Sequence, residues 1–173
     1  MTRLNQARLL AVITVTIGLA QALPEDRELP ISGKADRSWT NTISGENELT
    51  GNVVIRQGEL SIQADKVVIH RDDDSGEIVY MLANGKPVVF TDLPAVDGEK
   101  IIVEGQHIEY FPNQDRIITE GNARLFQAEN EARSARIEYN TKTGVMQIES
   151  KRSLDGGNTS EQAEFIIQPG VAE

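Results

Sequence analysis

The sequence contains no cysteine, only two histidines, and few aromatic side chains, which make up 5% of its 173 residues. Without cysteine the chain can form neither disulfide bonds nor thiolate metal sites. With so few aromatic rings, a core must be built mainly from isoleucine, valine, leucine and alanine. At this length the chain forms one domain, and that domain is large enough to bury a sizeable aliphatic core.

Positive charge is also scarce. Lysine and arginine number 17 against 27 aspartates and glutamates, which gives a formal net charge of −10. Nucleic-acid binding needs basic patches, and a membrane-surface anchor needs a polybasic segment, so this charge balance argues against both partners.

Catalytic motifs are missing as well. There is no phosphate-binding loop, no G-x-S-x-G, no His-x-x-x-His, and no paired spacing among the carboxylates. His70 and His107 each lie inside a strand pattern, and the acidic run Asp72 to Gly76 is interpreted as a turn because it lacks the spacing of a calcium loop. We predict a protein that is not an enzyme and needs no metal or cofactor. The one catalytic arrangement left open is a carboxylate pair assembled from distant strands.

The first 22 residues have the pattern of a cleaved secretory signal. Arg3 and Arg8 precede a short apolar run from Leu9 to Leu19, and Ala20-Gln21-Ala22 fits the small-x-small cleavage rule. A retained anchor helix is the alternative, although the apolar run is short for a membrane span. Cleavage would remove 22 of 173 residues and leave a mature chain of 151 that begins at Leu23.

The rest of the chain is organised around a repeated β unit. The stretch from Leu49 to His70 alternates apolar and polar residues between glycine-containing breaks, and its pattern from Gly51 to Ile69 recurs from Gly121 to Tyr139 without insertion. A middle copy starts at Gly85, so the three glycines are 34 and 36 residues apart. We interpret these glycines as turns. At 8–12 residues per strand and turn, about 12–18 short antiparallel strands are expected.

Within each unit, alternate residues are apolar and the residues between them are charged, as the neighbours Ile55 and Arg56 illustrate. Because successive strand residues point to opposite faces, the apolar residues should line an elongated interior trough. An open repeating sheet leaves strand edges at both ends, and such edges invite pairing with another chain. We place these edges at Ile31 to Asp36 and at Glu164 to Gln168.

These residues carry a resemblance to a known family. The signal pattern, the run G-N-V-x-I-x-Q-G from Gly51 to Gly58, the run I-x-A-D-x-V-x-I from Ile62 to Ile69, and the second G-N-A-x-L from Gly121 resemble the OstA/LptA family. The resemblance covers roughly Leu29 to Ile167. It implies a twisted β-jellyroll open at both ends, located in the periplasm of a Gram-negative bacterium.

The resemblance also implies a function. Members of the family carry lipopolysaccharide, stack head to tail, and connect an inner-membrane extraction complex to an outer-membrane assembly protein with the same β-fold. On this basis acyl chains should contact ten inward residues. They are Val53, Ile55, Ile62, Ile69, Phe90, Ile108, Tyr110, Leu125, Ile137 and Tyr139. A simple filled hydrophobic core is the alternative for each position.

The expected organisation is a signal peptide over 1–22, a flexible lead-in over 23–30, one β-jellyroll domain over 31–168, and a short tail over 169–173. The insert from Leu93 to Lys100 and the loop from Ser153 to Ser160 interrupt the pattern. Two other functions stay open. One is a polysaccharide-binding or adhesive β-solenoid that uses an exposed face. The other is a monomeric lipid shuttle of the lipocalin type.

Overall fold

The computed structural model describes residues 29–94, 98–150 and 163–167. Within these ranges the chain forms ten β-strands and one short 3-10 helix at Pro112–Gln114. No helix in the described ranges is long and apolar enough to span a membrane. The strands are β1 (Ser32–Lys34), β2 (Arg37–Asn41), β3 (Glu46–Gln57), β4 (Leu60–Arg71), β5 (Ile78–Asp92), β6 (Ile101–Phe111), β7 (Arg116–Gln127), β8 (Asn130–Asn140), β9 (Met146–Glu149) and β10 (Glu164–Ile166).

Some expectations fall outside these ranges. The predicted signal peptide, the loop from Ser153 to Ser160 and the tail after residue 168 all lie outside the described residues, as do residues 23–28 of the lead-in and residues 95–97 of the insert. The predicted terminal strands lie inside them, except for Gln168. The first is β1 and the last is β10, each shorter than expected.

All ten strands belong to one antiparallel sheet, in the order β1-β3-β4-β5-β6-β7-β8-β10. At one end β1 and β2 both pair with β3, each along a different half of it. At the other end β9 and β10 share β8 in the same way. Within the described residues the two ends do not pair with each other, so the sheet is open. This confirms the predicted all-β, open-ended architecture.

The expectation of 12–18 short strands is wrong, because the described residues form ten strands and six of these are 11–15 residues long. Gly51, Gly85 and Gly121 lie inside strands and not at turns. The pairing register shifts where they occur, so these positions are β-bulges. These breaks fall near the middle of long strands, so the sequence pattern of each such strand resembles two short strands.

The bulges lie side by side across the sheet, and we call this line the bend. It crosses five successive strand pairs, where the register shifts between Thr50 and Val53, Gln63 and Lys66, Asn84 and Val88, Glu104 and His107, and Glu120 and Ala123. Because a bulge bends its strand, an aligned row of bulges folds the whole sheet along one line.

One ring contact shows how far the sheet folds. Phe90 lies nine residues from Met81 along β5, which is about 30 Å in a flat strand. Tyr110 pairs directly with Met81, yet its ring centroid is 5.2 Å from that of Phe90. The two halves of the sheet therefore face each other as two layers joined at the bend, with the core between them.

The strand ends opposite the bend close with turns that repeat one design. The Asp72 carboxylate accepts hydrogen bonds from the Ser75 backbone N–H at 2.9 Å and from the Ser75 hydroxyl at 3.0 Å. The Asn140 side-chain oxygen accepts the equivalent hydrogen bonds from the Thr143 backbone N–H at 2.8 Å and from the Thr143 hydroxyl at 2.9 Å. The acidic run from Asp72 is thus a turn, as predicted.

Candidate functional site

Rows of inward side chains cross the sheet from strand to strand. The row on one layer, which we call the Phe90 row, consists of Ile55, Ile62, Phe90, Val103, Leu125, Ala132 and Phe165, each paired with the next across neighbouring strands. The facing row on the other layer, the Tyr110 row, consists of Ile69, Met81, Tyr110, Ile117, Tyr139 and Met146. The Phe90–Tyr110 ring contact joins the two rows.

A third row, which we call the Ile108 row, lies deeper, between the Tyr110 row and the bend. It consists of Leu49, Val67, Ala83, Ile108, Thr119, Ile137 and Ile148. All three rows run perpendicular to the strands, and therefore along the length of the folded sheet. Together they form a continuous apolar surface that extends from β3 to the last strands.

All ten residues predicted from the sequence lie in this interior. Their exposed fractions range from 0 to 6%, and they belong to one cluster of buried side chains. Four lie in the Phe90 row, three in the Tyr110 row and two in the Ile108 row, while Val53 is adjacent to the bend opposite Ala64. The structure therefore brings all ten together. Contact between these residues and lipid remains a prediction.

The two layers are tightly packed against each other. Ile55 and Phe90 are fully buried, and Tyr110 is only 1% exposed. An acyl chain can thus enter between the layers only if they move apart, because their side chains already fill the space that the chain would occupy. In this closed state the interior is the filled core that was considered as the alternative.

The apolar rows emerge at the C-terminal end of the sheet. A cavity of about 270 Å³ opens there, lined mainly by apolar side chains that include Leu125, Ile148 and Phe165. Phe165 and Ile167 are 64% and 73% exposed. Apolar area of this kind on a β edge is unusual for a protein surface unless another molecule covers it.

Two buried polar residues on the inward face of the long strands, Thr119 and Asp92, were not predicted. Thr119 is fully buried in the Ile108 row, and its hydroxyl donates a hydrogen bond to the Glu104 carbonyl at 3.0 Å. Gly105 makes room for it, because a Cβ there would lie 2.1 Å from the Thr119 hydroxyl oxygen. The Thr119 hydroxyl therefore has a hydrogen-bond partner within the core, and this bond links β7 to β6 at the bend.

Asp92 is the other. It ends β5 two residues after Phe90, faces inward and is only 8% exposed. The Leu93 backbone N–H donates to its carboxylate at 2.9 Å. Burial, and then the charge of Asp92, raise the pKa of the Tyr139 phenol. The alternation of Val88, Phe90 and Asp92 along β5 is the sequence signal that indicates its inward direction.

The two histidines lie on the outer face. The His70 ring stacks on Tyr80 with centroids 5.0 Å apart. The His107 ring nitrogens lie 2.9 Å from the Asn84 side-chain oxygen and 3.3 Å from a Glu109 carboxylate oxygen. No group of three metal-ligating side chains occurs in the part of the chain that the structure describes.

Charged pairs cover the outer face. The Arg136 guanidinium lies 2.9 Å from Glu138, 3.2 Å from Glu149 and 3.3 Å from Glu120, and so joins β7, β8 and β9. Charged side chains outside and aliphatic side chains inside give the sheet two chemically distinct faces, and only the inner face suits an apolar ligand.

Comparisons with known proteins agree with this geometry. The family described as "LptA/(LptD N-terminal domain) LPS transport protein" matches residues 34–145. The lipopolysaccharide export system protein LptH of Pseudomonas aeruginosa is 28% identical over 95% of both chains. LptA of Escherichia coli K12 is 28% identical over 77% of this chain and 71% of its own. LptA of Haemophilus influenzae is 29% identical over 80% of each.

A solved structure shares the fold. The crystal structure of LptH from Pseudomonas aeruginosa, described as the LptA-homologous periplasmic component of the lipopolysaccharide transport device, superposes with a TM-score of 0.74 at 25% identity. It covers 84% of this chain and 100% of its own. Because the family match spans well over half of the sequence, the chain belongs to the LptA/LptD N-terminal-domain family of lipopolysaccharide transport proteins.

Proposed function

We propose that this protein carries lipopolysaccharide through the periplasm, as part of a bridge between the inner and outer membranes, with the acyl chains held between the two layers of the folded sheet. The observation that carries the proposal is the pair of apolar rows that face each other along the sheet. The names of the relatives support the ligand and the compartment. Secretion through cleavage after Ala22 remains a prediction from the sequence.

The energetics favour sliding over tight capture. Each buried methylene is worth roughly 0.8 kcal/mol, so a chain of about a dozen would gain on the order of 10 kcal/mol in an empty apolar trough. Here the gain is smaller, because the lipid must first replace the side-chain contacts between the layers. Since the rows repeat similar side chains from strand to strand, movement along them exchanges one apolar contact for another of similar strength.

The bridge requires further chains at the sheet ends. Among the described residues, no further strand pairs with the outer edges of β1 and β2 at one end of the sheet or of β9 and β10 at the other, and such edges favour pairing with another chain. Because the two edges are formed by different strands, they favour head-to-tail pairing, either between copies or with partner domains of the same fold at each membrane.

A photo-crosslinking experiment tests the trough directly. A photo-reactive residue at position 55 or 110 should capture lipopolysaccharide in living cells, because Ile55 and Tyr110 are buried between the layers. The neighbours Arg56 and Glu109 point outward and serve as matched controls that should not capture it. Capture only from the controls would place the ligand on the outer face and contradict the proposal.

Self-association is tested by light scattering over a concentration series. The apparent mass of the full chain should rise with concentration, and deletion of residues 164–173 should abolish the rise because it removes β10. A protein that stays monomeric at high concentration would contradict the proposed stacking and favour a shuttle.

The other two functions that were left open are not favoured. A lipocalin-type shuttle encloses its ligand in a closed barrel, whereas this sheet is open within the described residues. A polysaccharide-binding solenoid is not favoured because the family to which the chain belongs is described as a lipopolysaccharide transport family. Membership of a transport family, together with the absence of catalytic motifs from the sequence, leads us to propose a non-enzymatic role.

A further inference from the structure

A cavity of about 500 Å³ lies between the two layers at the strand ends opposite the bend, and we call it the rim cavity. Both layers line it, the first with Leu29, Ile31 and Gln57 and the second with Arg71, Ile78 and Tyr110. Gln57 lies two residues after Ile55 of the Phe90 row, and its side-chain N–H donates a hydrogen bond to the Leu29 carbonyl at 3.1 Å. The rim cavity is therefore the place where the trough opens between its layers.

The rim cavity has an apolar floor and a charged rim. Tyr110 and Ile78 are only 1% and 8% exposed, and both belong to the buried cluster that fills the trough. Arg71 is exposed, lies two residues after Ile69 of the Tyr110 row, and pairs with Ile78 across neighbouring strands. The cavity is thus continuous with the apolar interior on one side and presents a guanidinium on the other.

Arg71 has donor groups available at this opening. Among the described residues that line the rim cavity it is the one cation. No carboxylate of the described residues pairs with it, and its one side-chain hydrogen bond there is a long contact of 3.4 Å to the Gly76 carbonyl. By contrast, Arg133 and Arg136 on the outer face both have carboxylate partners. A guanidinium carries five N–H donors, so Arg71 can bind a further acceptor.

The position of the cavity determines how an amphiphile would lie in it. From Tyr110 to Gly105 at the bend the strand advances five residues, which is about 17 Å. A hydrocarbon chain that points from the rim cavity towards the bend runs parallel to the strands and contacts the Tyr110 and Ile108 rows in turn. Its head then remains in the rim cavity, beside Arg71 and in contact with water.

We propose that the rim cavity binds an anionic head group, a phosphate or a carboxylate, that is attached to the hydrocarbon chain, and that Arg71 donates the hydrogen bonds that hold it. This inference rests on the proposed function and assigns a head-group site within it. A planar guanidinium donates two parallel hydrogen bonds to either anion. Glu77 lines the same cavity and repels the anion, so the site orients the head without holding it so tightly that transport stops.

Displacement of Nile red, a neutral apolar dye, from the purified protein tests this inference. The competitors are decyl phosphate and decanol, which share one hydrocarbon chain and differ in the head group. We expect decyl phosphate to bind about fivefold more tightly at low salt, the effect of one exposed ion pair. In about 0.5 M salt the preference should fall below about twofold, because salt screens exposed charges. Equal affinities at low salt, or no measurable binding of either competitor, would overturn the inference.

Three variants identify the group that recognises the anion. Arg71→Gln should abolish the preference for decyl phosphate, whereas Arg71→Lys keeps the charge and should retain part of it. Glu77→Gln removes the opposing charge from the same cavity and should raise the preference about twofold. The control Arg56→Gln changes an exposed arginine on the outer face and should leave it unchanged. A preference that survives Arg71→Gln, or that falls equally in Arg56→Gln, would overturn the inference.

Inorganic phosphate separates a lipid head group from a free anion. It has no hydrocarbon to place between the layers, so it should displace neither Nile red nor decyl phosphate. Displacement by inorganic phosphate at the concentrations at which decyl phosphate acts would overturn the assignment to a lipid.

The outcome is distinguishable from failure of the proposed function. If the protein captures lipopolysaccharide from positions 55 and 110 but does not prefer decyl phosphate, only the head-group site is wrong. If the preference depends on Arg71 but no lipopolysaccharide is captured, the proposed function is wrong and the site for anionic amphiphiles stands.

Discussion

Glycine occupies two kinds of position in this sheet, the bend and the strand ends, for different physical reasons. At the bend, a Cβ on Gly105 would lie 2.1 Å from the Thr119 hydroxyl oxygen and 3.0 Å from the Glu120 carbonyl oxygen. At the strand ends, a Cβ on Gly76 or Gly144 would meet nothing within 4 Å. Gly76 and Gly144 therefore supply only a left-handed backbone, with φ of +72° and +69°.

The difference identifies which glycines shape the trough. Gly76 and Gly144 reverse the chain in open space, so each can be replaced by a larger residue at a modest cost in strain. A bend glycine lets two strands approach where the sheet folds, so its neighbours leave no room for a side chain. Since the fold at the bend brings the Phe90 and Tyr110 rows together, the bend glycines also bear on function.

The largest expected effect is at the bend. Gly105→Ala should lower the free energy of unfolding by about 3 kcal/mol, because the new methyl group overlaps Thr119 and disturbs its hydrogen bond to Glu104. Urea unfolding measures it. In a double-mutant cycle, Thr119→Ala should recover part of the loss by removing the overlapping hydroxyl. A loss below about 1 kcal/mol for Gly105→Ala alone would show that the bend tolerates a side chain.

A smaller loss of stability is expected for glycines that have the same left-handed backbone conformation, one at the bend and one at a strand end. Gly121 at the bend has φ of +74°, and a Cβ there would lie 3.0 Å from the Gln106 Cβ. Gly121→Ala should cost about 2 kcal/mol, and Gly144→Ala about 1 kcal/mol, because only the first adds crowding to the strain. The difference between the two midpoints in urea isolates the crowding. Equal losses would mean that strain alone explains both.

The sequence could not distinguish these two kinds of glycine. A turn and a β-bulge both use residues that tolerate positive φ, and the Gly51-Asn52 and Gly121-Asn122 pairs have φ between +45° and +80°. What separates them is whether the partner strand continues past the break, and that depends on long-range pairing. The positions of the breaks were therefore predicted, whereas the expected number of strands exceeds the ten that the described residues form.

The inward face was more predictable than the breaks. Because side-chain direction alternates along a strand, the alternating apolar residues could be assigned to one inward face, even residues as distant in sequence as Ile55 and Tyr139. Asp92 was missed because an acidic residue next to a loop, beside Leu93 and Pro94, normally indicates the end of a strand. Its burial depends on the opposite layer, which the local pattern does not contain.

Side-chain capping at a strand end should matter less than the backbone changes. Asn140→Ala removes the acceptor for the Lys142 and Thr143 backbone N–H groups and for the Thr143 hydroxyl. These groups are exposed and can turn to water, so the loss should be about 0.5–1 kcal/mol. Thermal unfolding detects it, and Asn140→Asp, which keeps the acceptor, is the control. A loss as large as that of Gly105→Ala would contradict the distinction between the bend and the strand ends.

The smallest effect concerns the ionisation of buried polar groups, which also separates the two regions. At the bend the buried Thr119 hydroxyl does not titrate near neutral pH, whereas near the strand ends Tyr139 is buried and lies within electrostatic range of Asp92. Burial, followed by the Asp92 charge, raises the pKa of Tyr139, so the folded state resists loss of the phenolic proton more than the unfolded state does. The unfolded chain therefore loses this proton first, and the Tyr139 contribution to stability is complete below about pH 10 and declines as the pH rises above it.

Urea unfolding at rising alkaline pH should show a shallower decline for Tyr139→Phe than for the unaltered protein, while Thr119→Val should leave the slope unchanged. Identical slopes for Tyr139→Phe and the unaltered protein would mean that the phenol ionises as readily in the folded trough as in water.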